Sequence, residues 1–238
     1  SSDLRDIIAA SDVKLICTTD DPVDSLEYHK QIAADSTCKV KVLPAWRPDK
    51  AVNIEKDTFV SYIRHLAEVS EIAITNLESL FVALNVRLDF FHKMGCRASD
   101  HGLDYVVYNS ASYDEVDAIL KKALAGEKVT YDEMEKYKTA LLLFLGEAYE
   151  KRGWVMQLHY GAIRDNNKAM FAKLGPDTGF DCINTRNCAE GTAAFLNALQ
   201  IQNKLPKTII YSLNPNDNAS IGTILGCFQG SEVAGKIQ

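Results

Sequence analysis

The chain has 238 residues, enough for one large α/β domain or two small ones. With 47% hydrophobic and 24% charged residues it is globular in composition, and its net charge of −6 leaves no electrostatic footprint for nucleic acid or an anionic membrane. No apolar run approaches a spanning helix, the opening SSDLRDIIAAS has no secretory pattern, and the six cysteines form no C-x-x-C or zinc-ribbon spacing, so reduced thiols in the cytoplasm are expected.

In chain order, a short apolar run, a polar cluster and a helical pattern recur. VKLICTT (13–19) is the first predicted strand; it closes on Thr19-Asp20-Asp21-Pro22 and leads to a helix near 24–34. KVKVLPAW (39–46) closes on Trp46-Arg47-Pro48-Asp49, followed by a helix near 58–70. Thr75 with Glu78 has capping-box spacing for a further helix, and Gly95 ends it. CRAS (96–99) is a short third strand closing on Ser99-Asp100-His101-Gly102. Two more capping-box pairs, Ser112 with Glu115 and Thr130 with Glu133, open helices that end near Gly126 and Gly153. The clearest helix is 131–152, where Met134, Tyr137, Leu141, Phe144, Leu145 and Ala148 recur at three- and four-residue steps. WVMQLHY (154–160) is a fourth strand leading through Gly161 to Arg164, and a helix follows near 189–202. KTIIYSL (207–213) closes on Asn214-Pro215-Asn216-Asp217. Gly222, Gly226 and Gly230 form a small-residue series, for which close helix packing or loop turns are the expectation.

Alternating strands and helices imply parallel pairing through right-handed crossovers, and continuous apolar runs suit strands covered on both faces. Ligands of such sheets sit at the carboxyl ends of the strands, so the five polar clusters are expected to face one cleft. Asp, Asn and Pro in those clusters are also turn formers. Turn chemistry gives no reason for Arg47, His101, His159 or Arg164. Histidines 29, 65 and 92 lie in helical patterns, where a surface or packing role is expected. There is no G-x-G-x-x-G or Walker string to hold a nucleotide.

The strings ICTTDDPVDSLEYH (16–29), LPAWRPDK (43–50), GCRASDHGLD (95–104), MQLHYGAIRDNN (156–167), LGPDTGFD (174–181) and LPKTIIYSLNP (205–215) resemble, in order, the uronate (glucuronate) isomerase family of the metal-dependent hydrolase superfamily. That resemblance implies an α/β fold of the TIM-type (β/α)₈ kind. The five runs would be strands two to six, and residues 1–238 the central part of one barrel domain without its first and last two strands. It implies isomerisation of D-glucuronate to D-fructuronate and of D-galacturonate to D-tagaturonate, with a divalent metal, zinc, in the intact enzyme. The family's His-x-His metal pair and TDSR-type aspartate string do not occur here, so the main ligands are expected elsewhere, with none bound in this piece and His159 at most an auxiliary ligand. A small-molecule uronate is the expected partner, with no nucleic acid or membrane, in a homo-oligomer.

Aldose–ketose isomerisation needs a proton carrier beside a carbonyl and positive charge on the developing oxyanion. Arg47, with Trp46 beside it, is the candidate substrate-binding cation; pairing with Asp49 or Asp20 is its structural alternative. His159 is the candidate catalytic imidazole, set against a hydrogen-bonded core histidine. Asp100 and His101 are taken as a catalytic or orienting carboxylate–imidazole pair, or else as loop braces. Arg164 binds the substrate carboxylate or braces its loop. A hydrolase of the same superfamily, and a non-catalytic structural piece, are the competing readings. For the isolated piece, open sheet edges are expected, either bare or covered by a neighbouring molecule.

Overall fold

The computed structural model describes residues 2–231 and 233–238. Five strands, β1 (Leu15–Asp20), β2 (Lys41–Trp46), β3 (Ala98–Leu103), β4 (Val155–Tyr160) and β7 (Lys207–Ser212), form one wholly parallel sheet in the order β1-β2-β3-β4-β7. Between β4 and β7 lies an antiparallel pair of two-residue strands, β5 (Ala162–Ile163) and β6 (Cys182–Ile183). The helices are α1 (Ser2–Ala10), α2 (Glu27–Ala34), α3 (Asp49–Val52), α4 (Phe59–Ser70) and α5 (Leu77–Lys93), then α6 (Tyr113–Leu124), α7 (Tyr131–Lys151), α8 (Lys168–Leu174), α9 (Ala189–Gln200) and α10 (Asn218–Cys227).

The expected strands are found within a few residues of their predicted bounds. The third is the largest difference, since CRAS supplies only its start and the strand runs through Asp100, His101 and Gly102. These polar residues hide it from an apolar-run reading, because its inner face looks into a cleft and not a core.

Coverage on both faces is not found among the described residues. In β4, Met156, Leu158 and Tyr160 are buried against helices, whereas the alternate positions are only partly covered. The helix-facing layer combines Trp46, Met156, Leu158 and Ile210 with Leu84, Phe91, Leu141, Leu145 and Phe195. Each such large side chain contributes roughly 1.5–3 kcal/mol by leaving water. Trp46 meets Phe91 edge-on at 5.0 Å.

The caps explain why the helices start where they do. Thr130 and Glu133 form the expected capping box, and Glu133 is held further by Lys122 at 2.9 Å. At α5 the box lies one residue later than expected: Asn76 accepts from Ser79 N at 2.8 Å, and Ser79 Oγ accepts the N–H of Asn76 and of Thr75. Ser112 accepts from Glu115 N, but the Glu115 carboxylate turns to Lys136 at 2.7 Å and leaves the box half made. Close packing at Gly222, Gly226 and Gly230 is overturned, because a side chain at any of them would meet no atom of the described residues within 4 Å, and Gly230 lies in the loop after α10, the other expectation.

The sheet is an open arc. Outside β7, residues 236–238 add parallel pairing, with Thr208 N donating to Lys236 O at 3.0 Å and Ile210 N to Gln238 O at 2.7 Å. No helix among the described residues is long and apolar enough to cross a membrane.

Candidate active site

β2 and β3 touch through one register pair, Trp46 with Ser99, and diverge beyond it. The gap is filled by charge. Arg47 leaves the end of β2, and its Nε donates to Asp49 Oδ2 at 2.8 Å. Asp49, at the start of α3, also accepts the Gly102 N–H at 3.2 Å, replacing a missing ladder partner on β3. A Cβ at Gly102 would fall well inside contact distance of the Arg47 guanidinium. Only glycine lets that group lie flat across the strand.

Asp100, one strand position before His101, sits beneath this pair. Its Oδ2 lies 3.4 Å from Arg47 Nη1 and accepts from Thr19 at 3.3 Å, and its Oδ1 lies 3.3 Å from His159 Nδ1 on β4. His159 meets the Tyr211 ring edge-on at 4.5 Å, and its Nε2 has no hydrogen-bond partner among the described residues. Burial works to strip the proton from Arg47, but Asp49 and Asp100 outweigh it and hold the guanidinium above its ordinary pKa. Burial lifts the Asp49 carboxyl above the usual range despite Arg47.

Arg47, Asp49, Gly102, His159, Arg164 and Tyr211 line one cleft of about 1140 Å³ at the carboxyl ends of the strands. Arg47, Asp100 and His159, far apart in sequence, are thus brought together. His101 is not. Adjacent strand residues face opposite sides, and His101 points to the helices, wholly buried, with Nε2 3.0 Å from the Tyr149 hydroxyl. The expected Asp100–His101 pair is therefore replaced by Asp100–His159. Trp46 faces the same buried layer as His101 and cannot touch a ligand in the cleft. Arg164 lines the cleft, and one of its nitrogens, Nη1, pairs with Asp181 at 2.6 Å, the loop-bracing alternative.

His29 reaches the end of β1, with Nε2 2.7 Å from Thr18 Oγ1, so its packing role is at a strand end and not away from one. His92 stacks on Trp154, and His65 is exposed beside Glu68. Asp21 takes the Tyr62 hydroxyl at 2.8 Å, and Asn214 caps the turn after β7, as loop formers do.

Gly102, Tyr211 and the far wall around Arg186 escaped sequence reasoning. Tyr211 alternates within an apolar strand and Arg186 lies in an aperiodic loop, so neither carries a local signal; the glycine cue was present in the Asp100-His101-Gly102 cluster. Among the described residues, no three His, Cys, Asp or Glu side chains converge as metal ligands. Asp100 and His159 share their space with a guanidinium, so the residues present do not fit a complete divalent-metal site.

A parallel α/β arc with a charged cleft at the carboxyl ends of its strands is the architecture of part of a TIM-type barrel. A family model described as glucuronate isomerase matches residues 1–238, and the chain belongs to that family. It is 55% identical over 238 residues to the uronate isomerase of Lachnospira eligens, covering 100% of this chain and 51% of that protein. Against that of Lachnoclostridium phytofermentans it is 56% identical over 235 residues, covering 99% and 50%. The crystal structure of uronate isomerase from Thermotoga maritima superposes with a TM-score of 0.89 at 34% identity, covering 98% of this chain and 50% of that one. The chain therefore spans about half the length of the curated relatives it matches.

Proposed function

We propose that this chain supplies substrate-gripping and proton-handling groups of a uronate isomerase, a member of the metal-dependent hydrolase superfamily acting in the cytoplasm. The reactions are D-glucuronate to D-fructuronate and D-galacturonate to D-tagaturonate. The observation that carries this reading is the Arg47–Asp100–His159 cluster, in which Arg47 and His159 line one cleft and the buried Asp100 lies within 3.4 Å of both.

The chemistry follows from what each group can do. Arg47, locked by Asp49 and Asp100, offers its remaining N–H donors to a carboxylate or a developing enediolate oxygen. Asp100 Oδ1 lies 3.3 Å from His159 Nδ1 without a hydrogen bond between them, so it would act on the imidazole through its charge. His159, whose side chain is 43% exposed beside the cleft, would take the proton from the hydroxyl-bearing carbon and return it to the former carbonyl carbon, while the hydroxyl proton passes to the neighbouring oxygen. The zinc of the whole protein would draw its main ligands from other residues, with His159 at most an auxiliary one. Six unpaired cysteines support a reducing compartment.

The test is made in the whole protein. Uronate isomerisation is expected, with no hydrolysis of lactones, esters or amides, and His159→Asn and Arg47→Met should each lower kcat/KM by about 10²-fold or more. Hydrolase activity, or isomerisation indifferent to both substitutions, would overturn the reading. The 238-residue polypeptide alone is expected to be inactive.

A further inference from the structure

Residues 161–188 leave the sheet after β4, form the small β5–β6 pair and α8, and return at the start of α9. Their own packing is slight. α8 has no buried residue, and Cys182 and Ile183 are both exposed. What order they have is internal: Arg164 pairs with Asp181 at 2.6 Å, Asp165 N donates to Asp181 at 2.8 Å, and Asn166 N donates to Phe180 O at 2.9 Å. At the root, Gly161 turns the chain with φ +95°, and Asn184 N donates to Gly161 O at 2.7 Å. Asn184 also reaches Asp104 O at 3.2 Å.

One side chain ties this excursion to the rigid body across the cleft. The Arg186 guanidinium lies 3.5 Å from the centroid of the Tyr105 ring, bonds the Tyr131 hydroxyl, and pairs with Glu135 at 3.2 Å. The receiving groups are themselves tied together, with Tyr105 OH 2.6 Å from Glu135 and 2.5 Å from Tyr131 OH. Tyr131 and Glu135 belong to the 21-residue α7, the longest helix among the described residues. A planar guanidinium that lies over a ring while its two terminal nitrogens reach a hydroxyl and a carboxylate is an arrangement lysine's single ammonium does not reproduce. The excursion brings Arg164 and Asp177 to the cleft that Arg47 and His159 share.

We infer that Arg186 is a latch that holds residues 161–188 over the cleft as a lid, and that it thereby positions Arg164 for the bound sugar acid. The latch deepens the isomerase reading and rests on it for the ligand, but its mechanical part stands on the contacts alone. Arg186 is a positioning residue, acting through the segment it anchors.

The experiment compares Arg186→Ala and Arg186→Lys with the unsubstituted whole protein, by amide hydrogen exchange and by uronate kinetics. Exchange of amides in 163–187 is expected to quicken by about tenfold in Arg186→Ala and by less in Arg186→Lys, with α7 and β4 unchanged. KM for the uronate is expected to rise about five- to tenfold, with a smaller fall in kcat. Unchanged lid exchange overturns the latch, and faster exchange with KM unmoved overturns the positioning role. If the unsubstituted protein turns over no uronate, the isomerase reading fails, and the exchange arm alone decides the latch.

Discussion

Asp100 and His101 leave β3 in opposite directions, and their surroundings differ accordingly. Burial drives the His101 pKa down to about 3, with Arg47 and His159 adding to the effect, so the imidazole is neutral in the folded protein at any ordinary pH. The unfolded chain protonates the same group near pH 6.5. Its folded pKa is depressed, so its stabilising effect is complete above about pH 6.5 and declines as pH falls towards 3. Between pH 7 and 4.5 the loss amounts to roughly 2–3 kcal/mol. His101→Gln, which keeps a partner for Tyr149 and does not titrate, should flatten that part of the stability–pH curve measured by urea unfolding. An unchanged curve would show that His101 does not govern acid lability. A second residue-scale prediction concerns Gly102. In Gly102→Ala the atom displaced is the far end of a flexible arginine, so the disturbance should fall on the site and spare the fold. KM for the uronate should rise about tenfold with the melting temperature moved by less than about 2 °C, read by kinetics and calorimetry together. At this scale the sequence marks residue types but not sides. Arg47 and His159 are conspicuous because no turn needs them, whereas the exclusion of Trp46 and His101 follows from strand alternation, which becomes decisive only when the register is known.

Helix starts are the most legible elements, because a cap is a local hydrogen-bond arrangement written in four residues. Thr130 satisfies the Glu133 N–H, Glu133 returns the bond to Thr130 N at 2.6 Å, and Lys122 fixes the carboxylate. Thr130→Ala should cost about 1 kcal/mol in chemical denaturation. An effect below a few tenths would mean that tertiary packing of α7 sets its start. The shift of the α5 box from Thr75 to Asn76 shows the limit of such reading, since neighbouring hydroxyl and amide residues offer equivalent local solutions and packing chooses between them. β3 shows another limit. Its ladder to β4 is complete from Ala98 to Leu103, yet its side chains serve a cleft, so hydrophobicity alone stops at Ser99. The small-residue series, two of whose glycines lie in α10 and the third beyond it, is the reverse case, a packing signal with nothing packed against it among the described residues.

The arrangement of the whole molecule was legible as strand order and direction, because crossover handedness leaves few alternatives for repeated β–α units. The assembly of the cleft follows from that direction, since parallel strands deliver all their polar ends to one side. What the pattern does not contain is the far wall, because Arg186 and Tyr105 meet through an irregular excursion whose path no periodicity encodes. The open arc has a consequence of its own. β1 has no partner on its outer side among the described residues, and Leu15 at its start is 50% exposed. An unpaired strand edge with an exposed leucine on it templates further association. The 238-residue polypeptide on its own should therefore self-associate, its mass by light scattering rising with concentration over the micromolar range, and it should show no uronate turnover. Replacing Leu15 with Lys should weaken that association, because an edge charge opposes strand addition without touching the cleft. A polypeptide that stays monomeric at every concentration would mean that its open edge is already protected in solution, and that closure of the arc is not what the exposed strand demands.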